Sequence, residues 1–243
     1  MALGSIKARN IALDANYGST RSALWPATVY LHLYNLNPLS GGLELTLGTG
    51  GYEPIAIANT NTSWNAASNG QKTNKATFAF AASTAAWSAP ATWWWLGDAA
   101  KGLTIPGIPT VTPEGTTGTT NWQYVVTARN AIGETRASGI GVTTIGYSLL
   151  STTNYNRVTW TAVATATSYN VYRKHNTTFL KIATAVATTQ YTDKGAATTT
   201  VSPPIVNGTF NLLDGGPLTQ SIKVVAAGYA ISFPPGTIVI TQT

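Results

Sequence analysis

The chain has 243 residues, of which only 9% are charged, and its 14 basic and 8 acidic residues give a net charge of +6. An ordinary soluble domain has roughly 25% charged residues. The apolar fraction of 44% is enough for a core and excludes the composition of a disordered chain. The absence of Cys excludes disulfides, Cys zinc sites and thiol catalysis. The 41 Thr, 11 Tyr and 8 Trp favour pleated strands, so we expect an all-β protein.

The charge and hydropathy patterns also limit the partners. The basic residues are scattered singly, and the densest group is Arg173-Lys174, so we expect no nucleic-acid partner. No run of 18 apolar residues occurs, which predicts no membrane partner. The N-terminal residues lack an apolar leader, so we expect synthesis in a bacterial cytoplasm without export by a standard signal.

Residues 5–24 are the one stretch with a plausible helical pattern, and they predict either a short N-terminal helix or an ordered arm. Ser5 could cap such a helix, and Tyr17-Gly18-Ser19 would end it. From Trp25 onward the hydrophobic period becomes two. Residues 28–34 place Val29, Leu31 and Leu33 on one face of a strand, and Tyr30, His32 and Tyr34 on the other.

Further short strands follow, separated by turns rich in Gly, Pro and Asn, which is the pattern of a sandwich or barrel. Residues 35–42 read as a turn-rich loop, and 212–218 as a glycine-rich lead into the last strands. We predict the remaining strands at residues 44–47, 52–58, 75–81, 92–96, 121–129, 157–163, 168–174, 177–187, 190–193, 221–226, 229–233 and 237–241.

The titratable residues give little support for catalysis. The two histidines, His32 and His175, fall in different predicted domains, so neither domain supplies a two-His metal site. His32 lies on an alternating strand and is expected at a surface or interface. The acidic residues are dispersed, although a glycosidase pair could assemble in space from Glu44, Glu53, Asp98 and Asp214. We therefore expect no enzyme activity, no catalytic residue, no cofactor and no metal.

A run of three tryptophans is the most informative local feature. On a strand, Trp94 points away from the face shared by Trp93 and Trp95. The run fits a strand buried on both faces, a contact with another subunit or a partner protein, or stacking against carbohydrate. The candidate interface residues are Trp93, Trp94, Trp95, Tyr30, His32 and Tyr34. Trp122 and Trp160 are expected in the core of a separate sandwich.

The central part of the chain resembles a fibronectin type III domain. The resemblance to its early strands rests on Val158–Val163, Ala166–Arg173 and Tyr191–Gly195, and the resemblance to its late strands on Tyr124–Ser138. The late block precedes the early one here. The resemblance therefore implies a circularly permuted fibronectin-like β-sandwich, similar to modules in phage structural proteins.

The flanking parts resemble a family of small tailed-phage virion proteins that are often labelled tail-fibre proteins. Its opening is matched by Ala27–Tyr34, Pro38 and Gly50–Pro54, and its closing half by Gly97–Ala100, Asp214–Leu218 and Ala227–Gly236. Together the two resemblances imply a discontinuous β-sandwich or barrel host domain interrupted by a guest. Residues 1–102 and 207–243 would form the host virion-attachment domain, and 103–206 the inserted fibronectin- or Ig-like sandwich.

These resemblances imply a non-enzymatic structural protein of a tailed-phage particle, located in the virion. We expect a capsid-surface decoration or head-fibre protein that docks through the host domain and projects the inserted sandwich. The expected partners are the major capsid protein or tail proteins, and further copies of the chain, with a trimer as the expected oligomer. The alternative is a tail-fibre or baseplate component that binds cell-surface glycans.

Overall fold

The computed structural model describes residues 6–18, 25–205 and 207–241. In these residues every strand pair is antiparallel and the single α-helix is short, which confirms the all-β expectation. The chain divides into two compact units. Unit 1 comprises Met1–Lys101 with Asn211–Thr243, and unit 2 comprises Gly102–Phe210.

Unit 1 contains the helix and eight strands of the described residues. They are α1 (Ile6–Asn16), β1 (Thr28–Tyr34), β2 (Ile55–Ala58), β3 (Gln71–Thr73), β4 (Phe78–Ala79), β5 (Ala91–Gly97), β13 (Leu212–Ile222), β14 (Ser232–Phe233) and β15 (Val239–Thr241). Unit 2 contains seven strands. They are β6 (Thr110–Glu114), β7 (Thr120–Arg129), β8 (Gly141–Gly146), β9 (Tyr155–Thr159), β10 (Ser168–His175), β11 (Thr178–Val186) and β12 (Gln190–Asp193).

The C-terminal segment of unit 1 completes sheets that the N-terminal segment begins. The main sheet has the order β13-β5-β1-β2, and two small sheets pair β14 with β4 and β15 with β3. All of these pairs are antiparallel. Residues 212–241 therefore contribute one strand to each sheet of this unit, although unit 2 separates them from 1–101 in the sequence.

The core of unit 1 is rich in aromatic side chains. Trp64 packs edge-on against Phe78, and Phe80 packs edge-on against Trp87, with ring centroids 5.4 and 5.6 Å apart. From β1, the three aliphatic side chains predicted on one face, Val29, Leu31 and Leu33, are completely buried in this core. The alternation read from residues 28–34 is thus confirmed for its apolar face.

The N-terminal helix is confirmed, and it is held by polar contacts as well as by packing. It ends at Asn16, directly before Tyr17 and Gly18, where Gly18 has a φ of +104°. Asp14 accepts a hydrogen bond from the buried Lys72 ammonium at 2.6 Å. The predicted cap, Ser5, lies outside the described residues.

Unit 2 consists of a four-stranded and a three-stranded sheet, with the orders β11-β10-β7-β8 and β12-β9-β6. Its core contains side chains from both sheets, including Val126 and Val171 from one and Val158 from the other. Trp160 is buried here and Trp122 is partly buried against it, as expected. Strands β6 and β8 were not predicted from the sequence.

A buried polar network joins the two sheets of unit 2. The Asp193 carboxylate accepts hydrogen bonds from the Tyr124 hydroxyl at 2.8 Å and from Arg173 at 2.6 Å. Asn156 also donates to the Tyr124 hydroxyl, at 2.9 Å. Since Asp193 is fully buried and charge-paired, its role is to fix the strands, because removing one partner would leave an uncompensated charge.

Candidate functional site

The pairing of β1 with β5 decides where the predicted interface residues point. Leu33 lies opposite Trp94, and both belong to the core. Because side chains alternate along a strand, the residues on either side of this pair occupy the other face of the sheet. His32 lies opposite Trp95 there, and Tyr34 lies opposite Trp93.

Burial corrects part of the predicted interface. His32 is completely buried, so the expectation that it lies at a surface is wrong. Tyr34 and Trp94 are also buried, with 5% of each residue exposed, and Trp95 is 9% exposed. The physical reason is that this sheet is covered on both faces at its centre. Of the six candidate residues, Trp93 and Tyr30 retain intermediate exposure, and their role in an interface stays a prediction.

A hydrogen-bond network explains why His32 is tolerated inside. Its Nδ1 lies 2.7 Å from a Glu44 carboxylate oxygen, and its Nε2 lies 3.0 Å from the Ala99 carbonyl oxygen. Both ring nitrogens therefore have a polar partner inside the protein, which offsets the cost of burying the ring. The Tyr52 hydroxyl donates to the same Glu44 oxygen at 3.3 Å. These contacts tie β1 to residues 44 and 99.

A second polar feature of unit 1 is a cavity of about 410 Å³ beside α1. Its lining residues are Asp14, Asn61, Trp64, Asn65, Ala66 and Lys75. The lining therefore combines a carboxylate, two amides, an ammonium group and an indole. Such a set can donate and accept hydrogen bonds around one ligand, and the volume lies within the range of small-molecule sites, roughly 300–1,000 Å³.

Neighbouring groups keep one residue of this cavity, Asp14, ionised. Burial acts to raise the pKa of Asp14, but hydrogen bonds from the Lys72 ammonium and the Ala67 amide outweigh it, and the pKa is lowered. Asp14 is thus a carboxylate at neutral pH. The indole N–H of Trp64 is buried without a hydrogen-bond partner. A buried donor of this kind is normally satisfied by protein, water or ligand.

Asp214 is a third unusual group in unit 1. It lies on β13 opposite Leu96, and its carboxylate accepts a hydrogen bond from the Gly215 amide at 2.9 Å. Burial raises its pKa to about 6, and the Gly215 hydrogen bond only partly offsets this effect. Burial also raises the pKa of the Tyr17 hydroxyl, and the Asp214 charge adds to that rise.

Three of the four carboxylates considered for a glycosidase pair have structural partners, and the fourth, Glu53, is exposed. Glu44 is paired with His32, and Asp98 accepts two hydrogen bonds from Asn211, at 2.8 Å from its amide N–H and at 2.6 Å from its side chain. Asp214 is bonded to its own strand. Among the residues that the structure describes, no group of three or more His, Asp or Glu side chains is placed to hold a metal ion.

The comparison with protein families gives a match to the first part of unit 1. Residues 5–107 match the family model described as podophage GP4 fiber I protein gp80. This match supports a phage structural component of the fibre type, a class that is generally non-enzymatic, located in the virion and in contact with other virion components. No curated protein and no solved structure gives a match.

Sequence reasoning missed the cavity beside α1, because its lining comes from four separate stretches of the chain. Residues 61–66 lie between two predicted strands, 52–58 and 75–81, in a stretch rich in Asn, Ser and Thr that gave no sign of a site. The one available signal was that Trp, an apolar residue, occurs inside this polar stretch.

In the described part of the chain, no helix is both long enough and apolar enough to span a membrane.

Proposed function

We propose that the chain is a non-enzymatic decoration or head-fibre protein on the capsid surface of a tailed phage. Unit 1 attaches to the particle, and unit 2 is carried outward as a guest. The observation that carries this proposal is the fibre-family match, because the matched residues 5–107 cover almost all of the N-terminal segment of unit 1 and extend only about six residues into unit 2. The sequence has no long fibrous repeats and no coiled-coil heptads, which favours the shell over an extended tail fibre.

The junctions between the units support insertion of unit 2 into a surface turn of unit 1. On the unit 1 side, the amide of Asp98 donates to the carbonyl oxygen of Asn211 at 3.1 Å. On the unit 2 side, the Asn207 side chain donates to the carbonyl oxygen of Leu103 at 3.0 Å. Entry and exit strands therefore lie side by side in each unit, and a domain with adjacent termini can be inserted at a surface turn at little energetic cost.

The strand pairing of unit 2 supports the proposal that the guest is a permuted fibronectin-like sandwich. The block that resembles early fibronectin strands supplies β9 and β10, which lie in opposite sheets. The block that resembles late strands supplies β7, which pairs with β10 and β8. Seven strands in a three-plus-four arrangement are typical of Ig-like sandwiches.

Surface composition supports permanent assembly. With 9% charged residues, a free monomer would carry an unusually small number of charges for solubility. A subunit whose surface is always covered by neighbours does not need many surface charges to stay in solution. We propose a homo-oligomer, with a trimer as the expected state, in contact with the major capsid protein.

The experiment compares the full chain with a variant in which residues 102–210 are deleted and Lys101 is joined to Asn211. Both are added to particles of the source phage grown without this gene, and binding is measured by co-sedimentation. We expect the shortened chain to fold and to bind the particles with the same stoichiometry as the full chain. Isolated unit 2, residues 102–210, is the control and should not bind. Loss of binding by a folded shortened chain would overturn the assignment of attachment to unit 1.

The cavity beside α1 favours a second candidate, a tail-fibre or baseplate component that binds a cell-surface glycan. Its carboxylate, amides, ammonium and buried indole N–H suit a ligand with many hydroxyl groups. Saturation-transfer NMR with oligosaccharides from the host cell surface tests this function. Lys75→Ala and Asn65→Ala should abolish the signal, and Lys194→Ala in unit 2 should leave it unchanged. No signal from the wild-type chain would eliminate this candidate.

A further inference from the structure

The C-terminal segment of unit 1, residues 211–241, completes a core that the N-terminal segment leaves open. Four of its apolar side chains lie in that core and are at most 7% exposed: Val224, Phe233, Ile238 and Ile240. Without this segment, β3 and β4 would lose their one partner strand among the described residues, and β5 would lose one of its two neighbours. Unit 1 therefore folds only when the segment docks, because half a core exposes apolar surface and unpaired strand edges to water.

Asn74 holds the docked segment with its side chain, which is completely buried. Its amide group donates to the carbonyl oxygens of Phe233 at 3.2 Å and Pro234 at 2.8 Å, and its oxygen accepts from the Ile238 amide at 2.9 Å. These partners are 159 to 164 residues away in the sequence. Each bond therefore requires that the chain return to unit 1 after passing through unit 2.

Unit 2, in contrast, is a continuous stretch of chain. Its strands pair only with one another, and its core cluster is formed entirely by residues 102–210. A continuous domain of this kind folds as a unit once its own residues have been made. During synthesis, unit 2 is therefore folded before the C-terminal segment reaches unit 1.

The fold of unit 2 holds its two ends together. The Leu103 amide donates to the Thr209 hydroxyl oxygen at 2.7 Å, and the Asn207 side chain donates to the Leu103 carbonyl oxygen at 3.0 Å. Gly102 allows this close approach, because a Cβ there would lie 2.4 Å from the Thr209 hydroxyl oxygen. The chain thus leaves unit 2 within hydrogen-bond distance of the point where it enters.

The two ends of unit 1 that receive these junctions are paired as well. The amide and the side chain of Asn211 donate to the two carboxylate oxygens of Asp98, at 2.8 and 2.6 Å. In return, the Asp98 amide donates to the Asn211 carbonyl oxygen at 3.1 Å. Asp98 and Asn211 are therefore the pair that closes the loop running through unit 2.

Folding of unit 2 lowers the entropy cost of closing this loop. With unit 2 unfolded, about 110 flexible residues separate Asp98 from Asn211; with unit 2 folded, about seven remain, because Leu103 and Asn207 are fixed side by side. The probability of closure falls roughly as the three-halves power of the loop length. Closure is therefore about 60-fold more favourable when unit 2 is folded.

We propose that unit 2 acts as an internal cross-link that closes unit 1. It folds first, brings residues 103 and 207 together, and thereby delivers the C-terminal segment to the open core of unit 1. Its contribution to the stability of unit 1 is the entropy of loop closure. This role goes beyond the proposed function, because it concerns how the chain folds and not what the chain binds.

The test unfolds unit 2 and measures unit 1 in the full chain. Val126 and Val171 lie opposite each other in the core of unit 2, and both are completely buried. The core variant, Val126→Asp with Val171→Asp, puts two carboxylates into that core and unfolds unit 2, which rapid proteolysis within residues 102–210 verifies. Urea unfolding followed by tryptophan fluorescence then reports on unit 1, to which six of the eight tryptophans belong. We expect the folding equilibrium constant of unit 1 to fall about 60-fold.

Two control chains separate loop closure from other effects. The surface variant, Val142→Asp with Leu149→Asp, places the same charges at sites of unit 2 that are 46% and 74% exposed. Unit 2 stays folded in this variant, so unit 1 should keep the wild-type folding constant. The chain in which Lys101 is joined to Asn211 lacks unit 2 but has a short connection, and its folding constant should remain within about tenfold of the wild type.

Either of two results would overturn the inference. The first is a core variant in which the folding constant of unit 1 stays within about tenfold of the wild type although unit 2 is cleaved by protease. The second is a joined chain that is as unstable as the core variant, since unit 2 would then stabilise unit 1 by something other than loop closure. The proposed function is judged separately, by the binding of the full chain to particles.

Discussion

Replacing Asp214 by Asn should stabilise unit 1 in a pH-dependent way. In the folded chain, burial raises the pKa of this carboxyl from 3.8 to about 6. Ionising it at neutral pH therefore costs more in the folded state than in the unfolded state. The pKa differs by about 2 between the two states, and each pKa unit corresponds to about 1.4 kcal/mol. The charge on Asp214 therefore lowers the free energy of unfolding by at most about 3 kcal/mol above pH 6.

The sign follows from proton binding. Between about pH 4 and pH 6 the folded state holds a proton that the unfolded state has released, so the Asp214 contribution becomes less favourable as pH rises through this window. Asn keeps the oxygen that accepts from the Gly215 amide but carries no charge. We expect Asp214→Asn to raise the free energy of unfolding by up to about 3 kcal/mol at pH 7.5, and by almost nothing near pH 4.

Urea unfolding followed by tryptophan fluorescence is the assay. Six of the eight tryptophans belong to unit 1, so the signal reports mainly on this unit. Glu53→Gln, at an exposed position, is the matched control and should change stability little at either pH. If Asp214→Asn has no stabilising effect at pH 7.5, or has the same effect at pH 4 and pH 7.5, the reasoning about this buried carboxyl is refuted.

Three further predictions concern stability. Asp14→Asn should leave the buried Lys72 ammonium without its charged partner and lower the free energy of unfolding by about 2 kcal/mol, measured by urea unfolding at pH 7. The difference between variant and wild type should vanish as pH falls through the lowered pKa of Asp14, because the wild-type ion pair is then lost as well. Gly215→Ala should lower the melting temperature, because the added Cβ would lie 2.4 Å from the Trp95 ring and such overpacking costs about 1–3 kcal/mol. An unchanged melting temperature would contradict this close contact. Trp160→Ala should destabilise unit 2 by about 3–5 kcal/mol, measured by calorimetry, and a shift of the unit 1 transition of equal size would contradict the division into two units.

Much of the fold could be predicted from local patterns. The alternation in residues 28–34 placed β1 and its aliphatic core face correctly, and residues 121–129 were predicted as a strand where β7 lies, because period-two hydrophobicity is a direct signature of a strand. Strand β12 was predicted with its exact bounds, residues 190–193. The long strand β13 was not predicted, because Asp214-Gly-Gly-Pro217 reads as a turn.

The reason for the error at β13 lies in its neighbours. Gly215 is needed because the Trp95 ring occupies the space of a side chain, and Pro217 is tolerated because β13 is at the edge of its sheet. Both facts depend on a strand that is far away in the sequence. The burial of His32 was missed for the same reason: its partners, Glu44 and Ala99, are 12 and 67 residues away.

The candidate site was less predictable than the fold. The tryptophan run correctly indicated a sheet with large side chains on both faces, but it did not reveal that four of the six chosen residues are nearly or completely buried. Residues 35–43 were read as a turn-rich loop, and their Asn, Pro and Gly residues gave no sign that Leu36, Leu39 and Leu43 are exposed. Exposure depends on what covers a residue, and a single sequence does not encode this locally.

Cryo-electron microscopy of the intact phage particle tests the central claim most directly. The account predicts density for this chain on the outer face of the head shell, with unit 1 against the capsid protein and unit 2 farther from it. Density confined to the tip of the tail, or unit 2 seated against the shell, would contradict it.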